Sequence, residues 1–407
     1  MTLSTNGVKI APSVVARRYA PSLRVSTGAA SDVDVAVVGA GVVGCASALE
    51  LARAGVAVAL LEAEPEPALG ASATNSGILH TGFDSPPGEL ETELILASAR
   101  ARETVVQALG IPVVRCGALM RARSDAERER LTALVAVARR NGVLVHQPDA
   151  RTLEVPGEAV TDPVLYTLAL ANEAERQGAG IRLGFELTGA ERGTGELTLH
   201  AEDGQTLSCR LLINCAGLGA DAVARLVGDD SFSVYPRKGE FLVFEPPAGR
   251  RLGHILLPVP SERTRGVLVF PTLDGKVVAG PTAVDLEDKS DWSVRPAAQA
   301  EILTKAIPMY PSLEGAEPVG AYAGLRPAGR GFNYLIARSR ACPELVNVAG
   351  IRSTGLSASA GIARRVAEIV EGLGIRLGPR RQLRGGYLPP LSAPWYTRVA
   401  RRHGIAK

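Results

Sequence analysis

The sequence predicts a mixed α/β fold, a Rossmann-like dinucleotide-binding domain with a mixed-sheet domain inserted into it. Three observations predict it. An apolar, β-branched run at 33–38 leads through a glycine-rich turn into a helix, and a second apolar run at 56–62 ends in an acid. The middle of the chain turns to long strand-like runs separated by turn residues, and strand-then-helix character returns at 345–371. A pattern that starts as α/β, changes, and returns places both ends of the chain in one domain and its middle in another. At 407 residues the chain is long enough for two cores.

Taken in order, 45–54 reads as the helix between the first two strands, and helical spacing of apolar residues recurs at 89–109, 125–141 and 162–177. Residues 181–214 read as a strand meander with turns at 193–195 and 203–204. Long strands follow at 234–244 and 266–279, the second broken by the Asp274-Gly275 turn. A helix at 297–307, extended runs at 320–326 and 345–348, and a helix at 357–371 complete the pattern. The expected division gives 32–115, 150–230 and 325–375 to the cofactor domain and 116–149 and 231–324 to the substrate domain.

Two end segments flank these domains. Residues 1–31 carry Lys9, Arg17, Arg18 and Arg24 with no acid before Asp32. They read first as an unstructured extension on a cytoplasmic protein, and second as a mitochondrial import signal. Residues 376–407 are basic and rich in Pro and Gly, and read as a loosely packed tail with a peripheral contact to a membrane or a partner. The balance of 46% apolar and 21% charged residues is that of an ordinary soluble enzyme. A net charge of +3 builds no strong field, which argues against nucleic acid as a partner. Cys45, Cys116, Cys209, Cys215 and Cys342 form no C-x-x-C pair and have no histidine at ligand spacing, so neither a disulfide framework nor a metal site is expected. No apolar run reaches the ~18–20 residues a membrane helix needs.

The chemistry begins at Gly39-Ala40-Gly41-Val42-Val43-Gly44, a G-x-G-x-x-G sequence between an apolar strand and a helix. Its glycines permit a tight turn and close approach of backbone to a pyrophosphate, and the helix N-terminus adds partial positive charge. Glu62 closes the second strand 18 residues after Gly44, near the spacing of an acid that accepts hydrogen bonds from a ribose. A carboxylate there disfavours the 2′-phosphate of NADP. The motif by itself leaves NAD and FAD open.

The loop Gly70-Ala71-Ser72-Ala73-Thr74-Asn75-Ser76-Gly77 resembles that of the D-amino-acid-oxidase-like superfamily of FAD enzymes, where it passes the pyrophosphate and the flavin ring. Ile213-Asn214-Cys215-Ala216-Gly217 is similar to that family's second FAD-contacting turn, and 347–357 to its C-terminal flavin motif. The resemblance implies a glutathione-reductase-like cofactor domain and non-covalent FAD. The implied cofactor contacts are Gly39, Gly41, Val43, Gly44, Glu62, Ala71, Ser72, Asn75, Ser76, Gly77, Leu187, Ala216, Gly217, Gly355 and Leu356.

Within the superfamily, 75–82, Arg237-Lys238-Gly239-Glu240-Phe241, 266–272, Gly280-Pro281-Thr282-Ala283 and Tyr322-Ala323-Gly324-Leu325-Arg326-Pro327 resemble the FAD-dependent glycerol-3-phosphate dehydrogenases and oxidases, then the L-2-hydroxyglutarate dehydrogenases. This implies oxidation of a small anionic hydroxy compound. His80 matches the family's catalytic histidine, and an imidazole can take a hydroxyl proton near neutrality. Arg326 matches an anion-binding arginine, whose planar guanidinium grips phosphate or carboxylate oxygens in pairs. Arg265 stands where the glycerol-phosphate oxidases resembled here carry a basic substrate contact, as Arg rather than Lys. Ser76 and Ser353 read as hydroxyl contacts near flavin or substrate, and Arg352 equally as an anion contact or an ion-pair partner. His146, His200, His254 and His403 lie in no such motif. An amine or amino-acid oxidase and a structural flavin-binding subunit are the other readings. The electron acceptor (quinone, oxygen or a protein) and the oligomeric state stay open. Two departures stand out: no cysteine follows Cys342, where some related dehydrogenases continue into a cysteine-rich domain, and no motif for covalent flavin attachment is present.

Overall fold

The structure, a computed structural model, describes residues 32–247, 251–260, 266–386, 388 and 393–403. The two readings of residues 1–31 lie outside that range, and so does Arg265. The helices are α1 (Val42–Arg53), α2 (Leu90–Leu109), α3 (Asp125–Arg140), α4 (Pro163–Arg176), α5 (Ala220–Arg225), α6 (Ala298–Ala306), α7 (Gly355–Gly372) and α8 (Trp395–Arg402).

The run Val33–Val38 forms a central, almost wholly buried strand. Both faces of this strand are buried, its residues divided between two apolar clusters, so there is no polar alternation and a continuous apolar run is the result. Val58–Glu62 pairs with it on one side and Thr206–Asn214 on the other, both in parallel. Gly180–Leu183 and Leu345–Ala349 extend the parallel part, and the expected meander adds antiparallel strands Leu187–Arg192 and Leu197–Ala201. The result is an eight-stranded sheet fed by both ends of the chain.

Helices α1, α2, α4 and α7 pack together over this sheet. A Cβ on Gly361 of α7 would stand 2.3 Å from the carbonyl oxygen of Leu94, so only glycine lets α7 approach α2 this closely. Helix α1 starts at Val42, inside the glycine motif, earlier than the 45 expected from apolar spacing. Gly41 caps it in extended backbone, and the Val42 N–H is taken by Ser72 Oγ at 2.9 Å. The remote hydroxyl supplies what local sequence could not announce. Helix α4 starts one residue after the expected 162, because Asp162 is its cap and accepts from the N–H groups of Val164 and Leu165.

The second sheet has nine strands. Its backbone is the antiparallel pair Val234–Phe244 and Gly320–Gly329, in a register that sets Arg237 opposite Arg326 and Gly239 opposite Gly324. Val277–Gly280, Leu268–Pro271 and Ile255–Leu257 follow, then Ala118–Arg121, Thr152–Val155 and His146–Asp149. These last short strands escape sequence analysis, since two to four residues show no clear period. A third, small sheet aligns Ile78–Leu79 with Ala159–Thr161, pairing Leu79 with Ala159. His80 and Glu158 thereby become cross-strand neighbours at its end.

The C-terminal segment is not the loose tail expected from its composition. Gly378 N–H donates to Ala54 O at 2.7 Å, Arg381 N–H to Arg53 O at 2.9 Å, and Arg384 N–H to Glu173 Oε1 at 2.8 Å. Helix α8 then buries Trp395 edge-on against Tyr322, with ring centres 4.9 Å apart, and Arg398 pairs with Glu66 at 3.0 Å. Basic residues that look solvated in sequence are held by acids and carbonyls more than 200 positions away. Among the described residues no helix is long and apolar enough to cross a membrane.

Candidate active site

A cavity of about 470 Å³ follows the carboxyl ends of the parallel strands, where open α/β sheets bind their ligands. Gly39, Gly41, Val43 and Glu62 line it from the first βαβ unit, and Ala71, Ser72 and Asn75 from the small-residue loop. Leu187, Ala216, Gly217, Gly355 and Leu356, also expected, line its other walls. Gly39 has a φ of +98°, and a Cβ there would lie 2.5 Å from Cys215 O. Glu62 Oε2 accepts the Ala40 N–H at 2.7 Å and Oε1 the Glu64 N–H at 3.0 Å. Burial pushes the Glu62 carboxyl up, and these amide bonds oppose it. The N-terminal turns of α1 and α7 both border the cavity, adding partial positive charge.

Three of the expected cofactor contacts stand elsewhere. Gly44 acts by absence, since a Cβ on it would meet Gly39 O at 1.9 Å. Gly77, at φ +76°, leaves room for Thr161 O, which its Cβ would meet at 2.2 Å. Ser76 lines a second cavity instead. The first cavity also takes walls from Phe185 and Trp292, which no motif flagged, and from Pro327 at the end of the motif that carries Arg326.

The second cavity holds about 610 Å³ and shares Ala71, Asn75, Arg352 and Ser353 with the first. His80 and Ser76 lie on one wall, Arg237 and Arg326 on another, and Phe83, Met120, Phe241 and Leu257 supply apolar surface. Strand alternation explains the Arg237-Lys238-Gly239-Glu240-Phe241 motif. Arg237 and Phe241 line the cavity, whereas Lys238 pairs with Asp291 at 2.7 Å and Glu240 with Arg295 at 2.6 Å. Sequence analysis quoted that motif without giving Arg237 a role. In the structure it stands across from Arg326 and is tied to Asp285 at 3.0 Å.

Arg326 is half-buried and, among the described residues, makes no salt bridge. Its Nη2 donates to Thr282 O at 3.0 Å. Burial, with repulsion from Arg237 and Arg352, pushes its guanidinium down to about 10. Gly239 makes this placement feasible, because a Cβ there would lie 2.0 Å from Arg326 Nη2. Arg352 is half exposed, 4.0 Å from Glu91, and lines both cavities.

His80 Nδ1 lies 2.9 Å from Glu158 Oε2. Glu158 is fully buried, and its Oε1 accepts the Thr81 N–H at 2.6 Å and the Thr81 hydroxyl at 2.8 Å. Burial acts to raise its carboxyl, but the His80 ring and the Thr81 donors hold it below the usual carboxylate range. The His80 N–H donates to Ser357 Oγ at 2.8 Å, which links it to α7. Arg102 of α2 donates to the carbonyls of Leu79, at 2.9 Å, and of His80. The other histidines stay away from both cavities; His254 bonds Cys116 O and His403 stacks on Trp292.

The donor set suits a dinucleotide, with a carboxylate for ribose hydroxyls, glycine backbone for a pyrophosphate and two helix N-termini for anionic groups. Residues 34–369 match the family of FAD dependent oxidoreductases, and the chain belongs to it. It is an FAD-dependent oxidoreductase. Over 357 residues it is 29% identical to a glycerol 3-phosphate dehydrogenase of Caloramator mitchellensis, covering 84% of this chain and 74% of that one. A glycerol 3-phosphate oxidase of Mycoplasma pneumoniae is 30% identical, with 83% and 94% covered. The L-2-hydroxyglutarate dehydrogenase of Escherichia coli K12 is 28% identical over 62% of this chain and 64% of that one. Among solved structures, L-alpha-glycerophosphate oxidase from Mycoplasma pneumoniae, dithionite-reduced with FAD bound, superposes with a TM-score of 0.80 at 28% identity, covering 88% and 99% of the two chains.

Proposed function

We propose that the protein oxidises glycerol 3-phosphate to dihydroxyacetone phosphate. The observation that carries this reading is a second cavity, sharing walls with the first, that sets the His80 imidazole and an arginine without a salt bridge among the described residues on its walls. A phosphate monoester carries close to two negative charges near neutrality. Arg326 would bind it in place of the missing counter-ion, and Arg237 and Arg352 would add positive field. Anchoring the phosphate holds the secondary alcohol carbon in one orientation, which removes much of the entropic cost of reaction. His80 takes the hydroxyl proton as the C–H bond gives up its hydride. Bound FAD supplies the hydride acceptor. Phe83, Met120 and Phe241 keep water from the reacting carbon.

A second reading, L-2-hydroxyglutarate, is supported by the separate guanidinium groups around the cavity, which would serve two carboxylates as well as one phosphate. An amine substrate that binds deprotonated would make His80 dispensable. The test is an anaerobic mixing series with glycerol 3-phosphate, L-2-hydroxyglutarate, L-lactate and sarcosine, read as loss of the yellow flavin absorbance. Glycerol 3-phosphate is expected to bleach the enzyme fastest. Faster bleaching by another compound sinks this reading, and bleaching by none would point to a structural flavin.

A further inference from the structure

We infer that Glu158 is the positioning residue for His80, holding the ring proton on Nδ1 so that Nε2 is the basic nitrogen facing the substrate cavity. The inference rests on the reading of His80 as the base. Sequence analysis did not single out Glu158, which stands 78 positions from His80 in a turn after Pro156-Gly157.

Hydrogen-bond donors and acceptors around the ring fix where its proton sits. An ionised carboxylate only accepts, and a neutral imidazole has one donor nitrogen and one acceptor nitrogen. Glu158 Oε1 is filled by the two Thr81 donors, so Oε2, at 2.9 Å, is the partner of Nδ1. The proton must then sit on Nδ1, and Nε2 is left with its lone pair. The pair is also held in register. The antiparallel pairing of Leu79 with Ala159 fixes the two residues side by side. Ser357 accepts the His80 N–H while donating to Ile78 O at 3.2 Å, and Arg102 clamps the carbonyls of Leu79 and His80. A buried carboxylate needs compensating charge, and the nearby cation on this side is Arg102.

Three titratable or charged groups surround the pair on its buried side: Arg102 of α2, Tyr166 of α4 and Cys116. From the cavity side it faces the field of Arg237, Arg326 and Arg352 and of Asp84, Glu89 and Glu91. Glu158 is in direct hydrogen-bond contact with the ring, at 2.9 Å from Nδ1. An anion in contact with an imidazole favours its protonated form, and Glu158→Gln removes that anion.

The test uses the FAD-loaded full-length enzyme and the variants Glu158→Gln and Glu158→Asp. In Glu158→Gln, kcat/KM for glycerol 3-phosphate is expected to fall about 10- to 100-fold, a part of the 10²–10⁴ a general base contributes. The acid limb of its pH profile should move to lower pH, and KM and FAD content should stay near wild type. Glu158→Asp should recover part of the rate. Ring-nitrogen NMR of wild type should place the proton on Nδ1 of His80. A wild-type proton on Nε2, or a Glu158→Gln profile that neither drops nor moves while FAD content is unchanged, overturns the inference. Should Glu158→Gln fail to fold, the wild-type tautomer and the Glu158→Asp profile decide it. The NMR readout needs no substrate, so a wrong substrate or a dispensable His80 is recognised separately from a wrong role for Glu158.

Discussion

Two charges beside the substrate cavity are treated in opposite ways. Glu158 is fully buried and completely satisfied, with one oxygen on Thr81 and the other on His80. Arg326 is half-buried, yet among the described residues it has one carbonyl partner, two repelling arginines and only the field of Asp285, which is itself paired with Arg237. Buried ions are normally paired or hydrogen-bonded. The first charge is satisfied by the fold, and in the proposed reaction it orients the base. The second has no ion-pair partner among the described residues, and in the proposed reaction an anionic substrate completes it.

The contrast can be broken in steps. The largest expected effect is that of His80→Ala, which should keep the flavin spectrum and lose about 10²- to 10⁴-fold in kcat; turnover within a few fold of wild type would remove His80 from the reaction. Next is Arg326→Met. Its KM for the anionic substrate should rise about a hundredfold, with thermal stability equal to wild type or higher because a charge without a counter-ion is gone. A matched Glu158→Ala variant should instead lose about 3 kcal/mol or more in denaturant unfolding, since it strands Arg102 and the Thr81 donors. If the two variants destabilise alike, the contrast is wrong.

The pH dependence has a definite sign. The Arg326 guanidinium is held down to about 10, so the penalty of burying it is present below that value and is relieved as pH rises through it. Anion affinity should run the other way, falling as pH passes about 10, and titrating KM at constant ionic strength checks it. The smallest effect expected is that of Gly239→Ala. A methyl 2.0 Å from Nη2 must displace the Arg326 guanidinium, raising KM about tenfold with little change in kcat. An unchanged KM would mean that the anion binds elsewhere in the cavity.

Much of this was legible in the sequence. The central strand at 33–38, the helices of the cofactor domain and the antiparallel strands from 187 to 214 follow from apolar period and turn residues, which act between neighbours in the chain, whereas 180–183 leaves the expected meander to pair in parallel with Val58–Glu62. The glycine motif was legible for the same reason, since φ and close backbone approach are local demands. His80 and Arg326 could be singled out because their flanking residues resemble a known family, and both line the second cavity. Glu158 could not, for its flanks carry no motif and its partner lies 78 residues away. The expected cofactor roles of Gly44 and Gly77 also changed, because a glycine needed for room and one needed for contact look the same in a sequence.

By itself, then, the sequence determined which segments become strands and helices, where a dinucleotide is cradled, and which family the chain resembles. Tertiary structure alone decided that Arg237 stands opposite Arg326, that Glu158 reaches His80, and that the basic C-terminal segment is tied down at Ala54, Glu66 and Tyr322. The physical reason is range. Backbone conformation answers to residues a few positions apart, whereas pairing of charges answers to strand register and helix packing. Those join residues that the sequence holds far apart.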